Sequence, residues 1–104
     1  MHELPQSDWA IADHPAENRF VMSFPGGVAF AVYGRLDDDL IVSHPEVPAP
    51  FRGRGIGERL VEGIFRLARE RGQRIVPACG FVADWAHRHP GYHDVLAAPE
   101  GARR

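Results

Sequence analysis

Two groups of residues in this chain have the types and spacing to do chemistry. The first is Arg52-Gly53-Arg54-Gly55-Ile56-Gly57, where glycine takes alternate positions as an apolar run ends and a helical pattern begins. Glycine lets a bulky group approach the backbone closely. The amides that open a helix have no intrahelical partner and carry partial positive charge, so they attract phosphate. Arg52 and Arg54 add full charges of the same sign. This pattern predicts an anionic ligand bearing a pyrophosphate. The second group is His44, Glu46 and Cys79. An imidazole titrates near neutral pH and suits proton removal, and a thiol at a helix start favours the nucleophilic thiolate. Each has a plainer reading: a half-exposed histidine before proline, a strand-end carboxylate, and a small buried apolar side chain.

Composition narrows the class of ligand. The chain has 104 residues, 44% hydrophobic and 25% charged, enough for one domain with one core. Its net charge of −2 is too weak for general nucleic-acid binding, but the charge is unevenly placed. Residues 1–51 carry eight acids against two arginines, and residues 52–74 seven arginines against three glutamates. The basic stretch thus starts at the glycines. All twelve basic residues are arginine, which excludes a Walker A lysine and any lysine Schiff base. No apolar run is long enough to span a bilayer and no signal peptide is visible, and a single cysteine fits a reducing cytoplasm. His87, His89 and His93 lack the spacing of a typical zinc site, and no metal is expected.

The surrounding elements must position these groups. Residues 1–18 read as a loose lead-in with a short strand around 9–11. Strands are expected at 19–24, 28–36 and 40–47, separated by Pro25-Gly26-Gly27 and Asp37-Asp38-Asp39, so they form an antiparallel meander. Alternation along the third strand predicts Leu40, Val42, His44 and Glu46 on one face. Pro45 and Pro48 cannot donate ladder hydrogen bonds, so pairing should loosen there. Ile56, Leu60, Val61, Ile64, Phe65 and Ala68 predict an amphipathic helix to Arg71, stopped by Gly72. A strand at 74–79 completes a β-α-β unit, and a short helix at 81–89 precedes a frayed tail after Leu96. The fold class is therefore mixed α/β, with a mostly antiparallel sheet in a single domain spanning 1–104.

These motifs resemble the GCN5-related N-acetyltransferases. Arg52 to Gly57 matches that family's Arg/Gln-x-x-Gly-x-Gly/Ala signature. Cys79-Gly80-Phe81-Val82 and His89-Pro90-Gly91-Tyr92 match the Cys-x-Phe-Val and His-Pro-x-Tyr segments of its small single-domain branch. The resemblance runs from about Asp13 to Leu96. It implies acetyl-CoA as donor, its pyrophosphate on the amides of Arg54, Gly55, Ile56 and Gly57 beside Arg52 and Gly53. Its pantetheine arm would run between splayed strands, along Val47 and against Phe81.

On this resemblance His44 is the preferred base, and Glu46 is a secondary candidate, as a base, as an orienting partner or as no more than a strand-end carboxylate. Cys79 is implied as nucleophile through an acetyl-cysteine, as acid to the leaving thiolate, or as a wall of the slot. Tyr92 is a proton donor or an anchor for the C-terminal turn. The implied acceptor is an amine of a protein, peptide or small molecule. Two other readings compete: a non-catalytic acyl-CoA-binding module, and an interaction protein using the arginine-rich helix.

Overall fold

A computed structural model describes residues 8–97 of the chain. Five strands lie in sheet order β1-β2-β3-β4-β5, the same as their order in sequence. β2 (Arg19–Phe24) and β3 (Gly27–Leu36) form an antiparallel hairpin. Its alternation is direct: Phe20, Met22 and Phe24 on one strand and Ala29, Ala31 and Tyr33 on the other are all buried. The turn needs glycine at Gly26, whose φ of 98° lies in the left-handed region, with Phe51 packed beneath it. β4 (Asp39–Glu46) pairs antiparallel with β3.

The first strand differs from expectation. β1 is Ile11–His14, antiparallel to β2, and a 3₁₀ turn follows at Pro15–Glu17, so residues 8–18 are more ordered than their composition implies. Trp9 is excluded from the strand by its φ of 75°, although its N–H donates to the Ser23 carbonyl at 2.6 Å. The start of the expected lead-in, and nearly all of the expected frayed tail, lie outside the described residues.

α1 (Ile56–Arg71) crosses from β4 to β5 (Arg74–Pro77), which makes that pair parallel. Leu60, Val61, Ile64, Phe65 and Ala68 are buried against the sheet, the larger ones each contributing about 1.5–3 kcal/mol. Gly72, at φ 70°, ends the helix, and its N–H returns to the last carbonyls. α2 (Gly80–Arg88) buries Val82, Trp85 and Ala86, with Trp85 5.0 Å from the Phe65 ring. A 3₁₀ stretch, Pro90–Val95, is held to α1 by Arg69, which pairs with Asp94 at 2.6 Å and covers Tyr92. No helix among the described residues is long and apolar enough to cross a membrane.

Parallel pairing of β4 with β5 reaches Val42 and Pro77 and ends with the Ala78 N–H on the Val42 carbonyl at 3.0 Å. β5 is thus shorter than the expected 74–79. Pro77 and Pro45 have no N–H to extend the ladder, so the two strands part where β4 runs toward the glycine loop.

Candidate functional site

The register of β4 corrects the expected sharing of one face by Leu40, Val42, His44 and Glu46. Tyr33 pairs with Val42 but Ala31 pairs with Pro45, so Ser43 and His44 both stand opposite Val32. That extra residue is a β-bulge, and it reverses the side-chain phase beyond it. Leu40 and Val42 are buried, and after the bulge it is Pro45 that turns inward. His44 is released into solvent, with its ring edge-on to Phe81 at 5.6 Å. Glu46, paired with Phe30, is exposed on the opposite face from α1.

His44 and Glu46 border a cavity of about 390 Å³ where β4 and β5 part. Its far wall is the glycine loop and the first turn of α1. Gly53 and Gly55 both adopt φ 80°, with open space where a Cβ would be. Gly55 caps α1 with no side-chain hydrogen bond. The first intrahelical bond runs from Arg59 N–H to Gly55 O, so the amides of Ile56, Gly57 and Glu58 precede the ladder. Gly57 faces a close-packed wall: a Cβ there would stand 3.3 Å from the tip of Phe81, which would have to shift by a few tenths of an ångström, and in ordinary contact with Pro45 at 3.5 Å and Val47 at 3.7 Å. Phe81 thus bridges the slot from His44 to the helix start.

Most expected site residues converge here. Val47, Arg52, Gly53, Gly55, Ile56, Gly57 and Phe81 line the cavity with His44 and Glu46. Arg54 does not; its guanidinium lies over Phe51, 5.5 Å from the ring centre. Arg52 donates from Nε to the Val47 carbonyl at 3.1 Å, the same acceptor that a strand-like ligand would use. Cys79 also lies off the lining: it caps α2 and packs, half-buried, against the core. Three lining residues were missed, Pro45, Phe51 and Glu58. Pro45 depends on the bulge, and Phe51 on its edge-on contact with Phe24 at 5.0 Å. Glu58, paired with Arg88 at 3.3 Å, carries no signal beyond its place in the first turn.

The remaining candidates have structural partners. His89 lies flat on Trp85 at 4.0 Å and bonds its carbonyl through Nδ1, while His93 Nε2 meets the Ala86 carbonyl. Tyr92 packs against Trp85 and Phe65, as an anchor for the C-terminal turn would.

Residues 19–95 match the family model of the GCN5-related N-acetyl-transferases. The chain belongs to the GCN5-related N-acetyltransferase family. The match runs from the first residue of β2 through the 3₁₀ stretch, so it includes the bulge, the glycine loop and both helices. No curated protein sequence matches the chain. Among solved structures, it is similar to the NMR solution structure of a GCN5-like candidate N-acetyltransferase from Staphylococcus aureus. The TM-score is 0.65 at 24% identity, over 95% of this chain and 98% of that one. That likeness speaks for the fold.

Proposed function

We propose that this N-acetyltransferase binds acetyl-CoA across the glycine loop and the β4–β5 slot and transfers the acetyl group directly to an amine. One observation carries the reading: an uncapped helix start, reached through two left-handed glycines, opens on the same cavity as His44. The fit to a pyrophosphate rests on those amides and on the open space at Gly53 and Gly55, which a side chain would fill. Arg54 and Arg52 lie close enough in sequence to add charge, Arg52 once it leaves the Val47 carbonyl. Val47 and Phe81 suit the apolar, amide-bearing pantetheine arm.

Acetyl-CoA supplies an acyl group activated as a thioester. His44 takes the proton that the amine loses as its nitrogen bonds to the acyl carbon and displaces the CoA sulfur. The imidazolium then returns that proton to the departing thiolate, and Glu46 draws a cationic amine toward the slot. Cys79 stays outside the direct route, since it packs against the core rather than the cavity. The interaction-protein reading has less support because the arginines of α1 are engaged within the chain. Arg59 covers Trp9 at 3.7 Å, and Arg66, Arg69 and Arg71 pair with Glu62, Asp94 and Asp13. A reducing cytoplasm suits both the donor and the lone thiol.

Titration of the ¹⁵N-labelled protein with CoA tests the site. The largest amide shifts are expected at residues 53–58 and around Val47 and Phe81, with weaker effects from ATP. Absence of binding, or shifts centred on another face, would remove the assignment.

A further inference from the structure

Three large apolar side chains are exposed among the described residues, Val28 at 47%, Val32 at 39% and Leu36 at 59%. All stand on β3 four residues apart, so they share the face turned away from α1. Phe30 lies between the first two, and Val21 and Ile41 extend the half-buried apolar surface onto β2 and β4. Isolated exposed apolar residues are ordinary, but a row along one strand forms a patch.

The patch is continuous with the cavity. Phe30 is the cross-strand partner of Glu46, which lines the cavity, and from there the row runs six residues to Leu36. That is roughly 20 Å of strand, far longer than a small amine. At its outer end the Asp37-Asp38 turn is exposed and acidic. Near the cavity, Arg19 lies over Phe30 at 4.2 Å, and its Nε is shielded from solvent without a hydrogen-bond partner. The face therefore offers an acid at each end, an apolar middle and an unsatisfied donor. A second copy laid antiparallel would set Glu46 against Asp37 and Asp38, like charge on like. A polypeptide whose basic residue lies at the Asp37-Asp38 end, away from the Arg19 guanidinium, meets no such conflict.

Resting on the acetyltransferase reading, we propose that the outer face of β3 docks a polypeptide acceptor. Its reactive amine sits by His44 and Glu46, its apolar side chains cover Phe30, Val32 and Leu36, and a basic residue meets Asp37 and Asp38.

The test uses an array of N-terminally blocked nine-residue peptides. Each carries lysine near one end, with apolar, polar, basic or acidic residues varied over the rest. Transfer from labelled acetyl-CoA is compared for the intact chain and the Leu36→Glu and Leu36→Lys variants, with spermidine as small acceptor and calorimetry for CoA. Peptides with apolar residues followed by arginine should be acetylated best. Either variant should lower their kcat/KM at least tenfold while the CoA Kd and the spermidine rate change less than twofold. CoA binding with transfer indifferent to flanking sequence, or unaffected by Leu36→Glu, overturns this proposal alone. So does sedimentation as a dimer that Leu36→Glu splits. Failure of the intact chain to bind CoA overturns the acetyltransferase site as well.

Discussion

A base that works on an amine at a thioester must sit at the edge of the slot, solvated enough to lose its proton and fixed enough to find the acyl carbon. A regular β4 would have pointed residue 44 into the core behind Val42. The extra residue at Ser43–His44 puts proline there instead and leaves the imidazole at the cavity rim, against Phe81. His44→Ala is therefore expected to lower kcat by about 10²–10⁴-fold, with the CoA Kd within twofold by calorimetry. Equal losses in both would recast His44 as a binding residue. Cys79→Ala is expected to keep at least half of the transfer rate, and no acetyl adduct should appear in intact mass spectra of the resting mixture. An adduct that vanishes in the variant would establish the covalent route instead. Gly57→Ala separates binding from folding. Its helix gains up to about 1 kcal/mol in propensity, which displacement of the Phe81 ring offsets, so urea midpoints should hardly move. The methyl group narrows the slot, and CoA affinity is expected to fall at least tenfold. Residue types and spacing mark the glycines, whereas His44 is singled out by the family resemblance, since by itself it also reads as a half-exposed histidine before proline. Cys79 shows the limit: nothing in its sequence neighbourhood distinguishes a thiol facing the slot from one packed on the core.

The strands and α1 were legible because each has one buried face, which writes a period of two or 3.6 into the sequence. The bulge was not legible. It follows from pairing between distant strands, and the alternation of Leu40, Val42, His44 and Glu46 gave no hint of an added residue. The bounds of β1, expected around 9–11 and found at Ile11–His14, were misplaced for a related reason, since much of its hold on the fold is polar. Tyr33 donates to Asp13 Oδ1 at 2.7 Å, and Arg71 donates to Asp13 Oδ2 at 2.6 Å, joining β1, β3 and the end of α1. Burial first, and then the hydrogen bond to Asp13, raise the Tyr33 pKa above its ordinary value of 10.0. Above pH 10 the unfolded chain has lost this proton while the folded chain still holds it, so stability falls as pH rises through that window. Tyr33→Phe should cost about 1 kcal/mol at pH 7. It should also remove this alkaline loss, so that the two stability curves converge above pH 10. Urea denaturation from pH 7 to 11 reads the difference directly. Parallel curves over the whole range would show that the hydroxyl is not linked to folding.

The whole molecule is a sheet whose two sides do different work. One side packs α1 and α2 into the core, and the parting of β4 from β5 gives that core an opening at the helix start. Few of the described residues lie elsewhere, so filling the opening should register in global stability. A ligand that binds only the folded state at a hundred times its Kd adds about 2.7 kcal/mol. For a chain near 100 residues, each kcal/mol raises Tm by about 4–8 °C. Saturating CoA is therefore expected to raise Tm by roughly 10–20 °C at that excess, with ATP at the same concentration giving less because it lacks the pantetheine arm. Gly55→Ala provides the control that ties this shift to the loop. Its φ of 80° with open space around the missing Cβ means that alanine brings conformational strain of about 1–2 kcal/mol without a clash. The variant should unfold roughly 4–16 °C lower and also lose most of its CoA-induced rise, while His44→Ala should keep the full rise with its lowered kcat. If Gly55→Ala responded to CoA like the parent, the pyrophosphate would have to be held elsewhere. The helix start would then be structural only.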